Sequence, residues 1–378
     1  MKKTIALLLA LVMVLALCAC GGSSAPAAAP AAAPAASGET KADAPAAPAA
    51  DDTVYKLKIN YYSSEVIGPG LAMKKCCDLA TEKSGGRLQF DQYYNGTYVS
   101  KADTAMSLAT GTIDIGLIEI SMLGEVGKLN QVFACMLKDA PPTLEENTKV
   151  EREMVATIPE LNAELAEGNM RWLSVFSVAG MNLHGNSKMN VQSFNDVSGM
   201  KICGLGDVAL YINGIGAAGV ELAPPDYYSS LERNMIDCMF AHWPMLDGFK
   251  LDELCTNHTI FGTEDDNGGL YMGSMGFVIN LDTWNKLPAD LQQILTESFD
   301  EGSMVAVDMD VETIQNTIQR CRDRGDTFYY INGDARKPFV EAMDPLLQTW
   351  FAECAAKGYD GEAVYNKMIE LQSAYTAK

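Results

Sequence analysis

Two hydrophobic rhythms take turns along most of this chain. Tyr55 to Tyr62 sets Leu57, Ile59 and Tyr61 on one face and polar side chains on the other, a period of two that predicts a strand. Leu71 to Lys83 spaces Leu71, Met73, Cys77 and Leu79 among charges as a helix does, and Ser84-Gly85-Gly86 is a stop signal. Arg87 to Tyr94 alternates again, Ala102 to Ala109 predicts a helix ended by Gly111, and Ile113 to Ile118 predicts a third strand. Strands separated by helices in this order imply a parallel sheet with helices on its faces.

The same succession returns downstream. Strands are predicted at Arg171–Val178, Met200–Cys203, Val220–Leu222, Ile236–Phe240 and Met275–Ile279, with helices at Asp207–Ala218 and Asp226–Glu232 between them. Leu281 to Leu287 leads into a long helix opening at Pro288, where proline suits a first turn, with Leu291, Ile294, Leu295 and Phe299 along one stripe. Two α/β lobes with a long helix in the C-terminal third are expected.

The first fifty residues follow neither rhythm. Lys2 and Lys3 precede an apolar run from Ile5 to Leu17, shorter than the about 20 residues that span a bilayer. Residues 1–19 are therefore expected to be a signal peptide. Leu17-Cys18-Ala19-Cys20-Gly21 resembles the bacterial lipobox, with Cys20 as the lipidated residue, so a lipid anchor is the expected membrane attachment. Residues 20–51 are rich in Ala and Pro and hold no large apolar side chain to offset ordering entropy, as befits a linker.

Charge and composition narrow the function classes. The 378 residues carry 28 Lys+Arg against 49 Asp+Glu, a net charge of −21, which excludes nucleic acid and passive adhesion to anionic lipid as partners. Beyond the leading segment stand Cys76, Cys77, Cys135, Cys203, Cys238, Cys255, Cys321 and Cys354, dispersed and without a Cys-x-x-Cys pair. The even count would suit disulfides in an exported protein, but the dispersal favours mostly free, buried thiols. Three histidines, His184, His242 and His258, lack His-Glu-x-x-His spacing, so no metal or other cofactor is expected. Nucleophilic catalysis has no Gly-x-Ser-x-Gly or Cys-His motif to rest on, and no enzyme activity is expected.

Five stretches in order resemble one family. Ser84-Gly85-Gly86-Arg87-Leu88, Ala109 to Gly116, Asn195 to Ile202, Tyr227 to Asp237 and Asp282 to Pro288 are similar to motifs of the DctP-like solute-binding proteins of TRAP transporters. The resemblance runs from about residue 54 to the end and implies a two-lobed periplasmic-binding-protein-like fold with a long C-terminal helix. It assigns residues 52–180 plus 268–305 to lobe I and 181–267 plus 306–378 to lobe II. It implies a monomeric, extracytoplasmic receptor that captures a small organic solute, an organic acid among the candidates, and delivers it to the permease subunits of a TRAP-type secondary transporter. A receptor for an ATP-driven importer or a sensor is the alternative, with an extracellular enzyme a more distant one.

One departure bears on the ligand. Where the family commonly has an arginine that pairs with a substrate carboxylate, this chain has Cys203, and a second arginine used by one branch would fall near Leu183. A thiol cannot replace the bidentate guanidinium. Ligands of two-lobed α/β receptors sit where strand ends meet. The expected contacts are Ser64 and Glu65, Tyr94 and Asn95, and Glu119 on the first lobe. On the second they are Cys203, Tyr227, Phe240, His242 and Trp243, with Ser63 and His184 on the rims.

Overall fold

The alternation that predicts the first strand is realised in β1 (Tyr55–Tyr61), where Leu57, Ile59 and Tyr61 are buried. The computed structural model describes residues 52–134, 143–204, 207–222, 226–264 and 268–376. The signal peptide, Cys20, the linker and Cys135 lie outside them. After β1 comes α1 (Gly68–Lys83), with Pro69 in its first turn and Met73, Cys76, Cys77 and Ala80 on its buried face. Then follow β2 (Leu88–Tyr93), α2 (Thr104–Ala109) and β3 (Ile115–Glu119). Two 3₁₀ stretches, Ile120–Gly127 and Leu129–Ala134, lead towards α3 (Leu144–Thr157) and α4 (Pro159–Glu167). A Thr143–Glu146 capping box opens α3.

The second half begins within β4 (Met170–Gly185), which runs seven residues beyond the predicted end. Its burial explains the difference: nearly every side chain is enclosed, so no alternation marks where it stops. It is followed by β5 (Lys201–Cys203), α5 (Asp207–Gly214), β6 (Ala218–Val220), α6 (Tyr227–Glu232), β7 (Cys238–Ala241) and α7 (Trp243–Gly248). Next come β8 (Asn257–Ile260), β9 (Tyr271–Asn280), α8 (Leu281–Lys286) and the 36-residue α9 (Ala289–Arg324). The chain closes with β10 (Thr327–Tyr330), α10 (Gly333–Glu341), α11 (Asp344–Ala356) and α12 (Gly361–Thr376).

Ten strands form one sheet that serves both lobes. Its spine runs β2-β1-β3-β9-β4-β7-β5-β6, with β8 on β4 and β10 on β8. Up to Met181, β4 pairs with β9; from Asn182 to Gly185 it pairs with β7. One strand thus belongs to the first lobe at its start and to the second at its end. Directions follow from the pairings: β1, β2 and β3 are parallel, β9 opposes β3, and β4 opposes β9, so the first three strands run with β4. β7 opposes β4, and β5 and β6 run with β7. The carboxyl ends of β1–β3 therefore point at the carboxyl ends of β5–β7.

Helix α9 is the second element common to both lobes. Its first half packs on α1, where a Cβ on Gly302 would lie 2.6 Å from the Cys76 nitrogen; only glycine permits so close an approach. Ile314, Ile318 and Cys321 continue the same buried cluster as Leu246 and Leu251 of the second lobe. Gly325, at φ 90°, ends the helix in the left-handed conformation.

The division expected for the C-terminal region is corrected by the packing. Trp350, Cys354, Val364, Tyr365, Met368 and Leu371 share a core with Leu129, Met154 and Leu161 of the first lobe. The Trp350 indole N–H donates to the Lys128 carbonyl at 2.8 Å, and Gln372 donates to Asn147 at 3.0 Å. Residues 344–376 thus belong to lobe I, because their apolar stripes match the face left open by α3 and α4. Helix α10 stays with lobe II, where Phe339 packs on Phe261 and Phe194.

Candidate functional site

Strand ends leave backbone groups without ladder partners, and two sets of such ends confront each other here. On the first lobe, Ser63 to Glu65 follow β1, and the Asn95 N–H donates to the Ser63 carbonyl at 2.9 Å, tying the end of β2 to the end of β1. Asn95 holds a left-handed φ of 56°, which asparagine tolerates better than most residues. Tyr94 donates its hydroxyl to Gln92 at 2.7 Å. Ser64 and Tyr94 are half-buried; Glu65 and Asn95 are exposed.

Glu119 ends β3 and is already engaged. Lys101 Nζ donates to both of its carboxylate oxygens at 2.8 Å, and the Tyr62 hydroxyl donates to one of them. The ammonium also lies 4.8 Å from the centre of the Tyr62 ring. Burial, and then the Glu119 charge, pushes the Tyr62 phenol well above its usual range. The result is an ion pair that is neutral overall. Tyr62 follows Tyr61 in the alternating strand, so its place on the opposite face was legible; Lys101 carried no such signal.

Asp310 sits near the middle of α9, with the Ala179 N–H of β4 facing its carboxylate and Tyr61 close by. Burial without a cation raises it to about 6. It lies where both shared elements pass between the lobes, a position that sequence spacing does not mark.

On the second lobe, Cys203 ends β5 and Tyr227 opens α6, each 1% exposed. Burial pushes the Cys203 thiol up to about 11. The Tyr227 phenol is raised to about 12 by burial and then by its neighbour Cys203, and among the described residues its hydroxyl has no hydrogen-bond partner. Phe249, 43% exposed, packs edge-on against Tyr227 with ring centres 5.5 Å apart.

His242 caps α7: its Nδ1 accepts the Met245 N–H at 3.1 Å. Burial lowers it to about 4, so the ring is neutral at pH 7 with its proton on Nε2. Trp243 and Phe240 stand behind this edge. Trp243 is wholly buried among His184, His258 and Phe328, and Phe240 packs between Tyr211 and Phe261. Their rings hold the lobe together.

Behind Trp243 runs a buried polar chain. His184 Nδ1 and His258 Nδ1 are 2.9 Å apart, His258 Nε2 meets Asp326 at 3.2 Å, and Arg324 pairs with Asp326 at 2.5 Å. His258, Cys321 and Asp326 bring ligand-type atoms within 4.8 Å of one another. The Arg324 guanidinium already supplies the positive charge there, also reaching the Cys255 carbonyl at 3.0 Å and Cys321 Sγ at 3.7 Å. The described cysteines, Cys76, Cys77, Cys203, Cys238, Cys255, Cys321 and Cys354, are free and buried. Among the described residues, no helix is long and apolar enough to cross a membrane.

This arrangement has counterparts among known proteins. A curated solute-binding protein from Chromohalobacter salexigens is 23% identical over 288 residues, 75% of this chain and 81% of its own. The crystal structure of a TRAP periplasmic solute binding protein from Desulfovibrio salexigens superposes with a TM-score of 0.75 at 19% identity, over 87% of this chain and 98% of that one. A TRAP solute binding protein from Rhodoferax ferrireducens, in complex with copurified benzoate, gives 0.68 at 19% identity, over 86% and 99%. The model of bacterial extracellular solute-binding protein family 7, DctP, matches residues 63–354. The chain belongs to that family, whose members bind a substrate and are not enzymes.

Proposed function

We propose that this protein is the receptor of a TRAP-type secondary transporter, which captures a small organic solute between its lobes and hands it to the permease subunits in the membrane. The observation that carries the reading is the confrontation of strand ends: β1–β3 and β5–β7 present their carboxyl edges to each other while β4 and α9 continue through both lobes. A solute touching both edges favours the closed arrangement by its contacts to the two lobes together. Ser64, Glu65, Tyr94, Asn95 and Glu119 are the proposed contacts on one side, with Cys203, Tyr227 and His242 on the other. Phe240 and Trp243, which the strand-end argument also nominates, support these from behind.

Anchoring through Cys20, with residues 20–51 as tether, is part of the same proposal. Labelling of expressing cells with a palmitate analogue should mark the wild type and spare Cys20→Ser.

Binding is tested by thermal shift against a broad metabolite library, with small-angle scattering on any hit. A ligand at a hundred times its Kd should stabilise by about 2.7 kcal/mol and reduce the radius of gyration. Turnover of a hit would refute the receptor reading, as would a protein that no compound stabilises or closes.

A further inference from the structure

Tyr227 holds a buried hydroxyl that, among the described residues, stands without a hydrogen-bond partner. Its side chain is 1% exposed. A buried hydroxyl left unpaired costs about 1–3 kcal/mol, which phenylalanine at the same place would avoid. The hydroxyl is at the lobe II edge, next to the Cys203 thiol at the end of β5. Its ring meets the partly exposed Phe249 edge-on. A polar group held this way, at an edge that faces the other lobe, suits a guest that supplies the absent bond.

The surroundings specify the charge of that guest. Cys203 and Tyr227 both stay protonated at pH 7, and among the described residues no cation is named as acting on either. His242, at the end of the next strand, is neutral too. Across the cleft, Lys101 is spent on both oxygens of Glu119. An ionised carboxylate lowered onto Tyr227 would shed its water and meet no opposite charge, a penalty that one neutral hydrogen bond does not repay. A hydroxyl or carbonyl oxygen pays far less desolvation and gains the same bond.

We infer that the Tyr227 hydroxyl, beside the Cys203 thiol, forms a neutral subsite that hydrogen-bonds an uncharged hydroxyl or carbonyl oxygen of the solute. Tyr227 is then a specificity-determining residue, and the solute meets lobe II through an uncharged end. The inference rests on the receptor reading above and narrows its solute.

Tyr227→Phe tests it in two stages on the full chain. Without any ligand, the variant should melt at the wild-type temperature or above, because it loses an unpaired hydroxyl; a drop of several degrees would reveal a structural partner and overturn the inference. The second stage uses a library that contains matched sets: benzyl alcohol, benzoate and benzylamine, and glucose, glucuronate and glucosamine. Compounds that stabilise the wild type should carry the uncharged oxygen and bind Tyr227→Phe about fivefold to tenfold more weakly. Unchanged affinity in the variant would overturn the inference and leave the receptor reading intact. So would hits confined to carboxylates that carry no other oxygen, such as benzoate, including any whose binding is lost in Lys138→Ala, a cation outside the described residues. A wild type stabilised by nothing refutes the receptor reading, and the subsite falls with it.

Discussion

Gly269 and Gly180 meet backbone to backbone: a Cβ on Gly269 would stand 2.6 Å from the Gly180 carbonyl carbon and 2.6 Å from the Met181 nitrogen. The contact joins the approach to β9 to β4 where β4 leaves one lobe for the other. Asn182 fastens it, donating to the Gly268 carbonyl at 3.0 Å and accepting the Phe261 N–H at 2.9 Å.

Gly269→Ala is therefore expected to destabilise the fold by about 1–3 kcal/mol, since backbone, not a flexible side-chain tip, must move aside. Urea denaturation measures the loss. Gly248→Ala, where a Cβ would meet nothing within 4 Å, is the control and should change stability far less. Equal stability of the two variants would mean that the crossing yields freely.

The acid side of the stability curve should carry the mark of Asp326. Burial opposes its charge, but His258 and Arg324 hold the carboxyl down to about 2, below its ordinary 3.8. A depressed folded value stabilises the native state above the unfolded value and withdraws that stability as pH falls through the folded one. Asp326→Asn should therefore be less stable than the wild type by about 2 kcal/mol at pH 7. The gap should narrow between pH 4 and pH 2. A gap as wide at pH 2.5 as at pH 7 would contradict the ionic role.

Glu151 predicts the opposite slope. It is 2% exposed, bonded to Asn147 at 3.0 Å and to Ser274 at 2.5 Å, and burial raises it to about 8 from an ordinary 4.5. A raised carboxyl favours folding while protonated, so stability falls as pH climbs from 4.5 to 8. Glu151→Gln should remove this decline and gain on the wild type by on the order of a few kcal/mol near pH 8. Parallel unfolding curves across that range would rule the account out.

Trp243 offers a packing test. Replacement by alanine should cost about 3–5 kcal/mol, because the ring fills a closed space between two histidines and Phe328. A loss below about 1 kcal/mol would place the ring at the solute instead.

Legibility in the sequence followed exposure. β1 announces itself because one face meets water and the other does not. β8, by contrast, reads Asn257-His258-Thr259-Ile260 with every side chain buried, its polar groups satisfied by Met189, Val191 and Asp326. No hydrophobic period can mark such a strand. The return of α11 and α12 to lobe I was hidden for another reason: an amphipathic stripe states that a face is buried, not against what. In the site, Cys203 and Tyr227 were reachable through strand ends and motif. Of the self-contained Lys101–Glu119 pair only Glu119 was, since Lys101 ends no strand and belongs to no motif.

The homecoming of α12 has a mechanical corollary. β1, which opens the folded body, and α12, which closes it, both rest on the same lobe. A pull on either end of that body therefore reaches the other lobe only through the two elements both lobes share, β4 and α9.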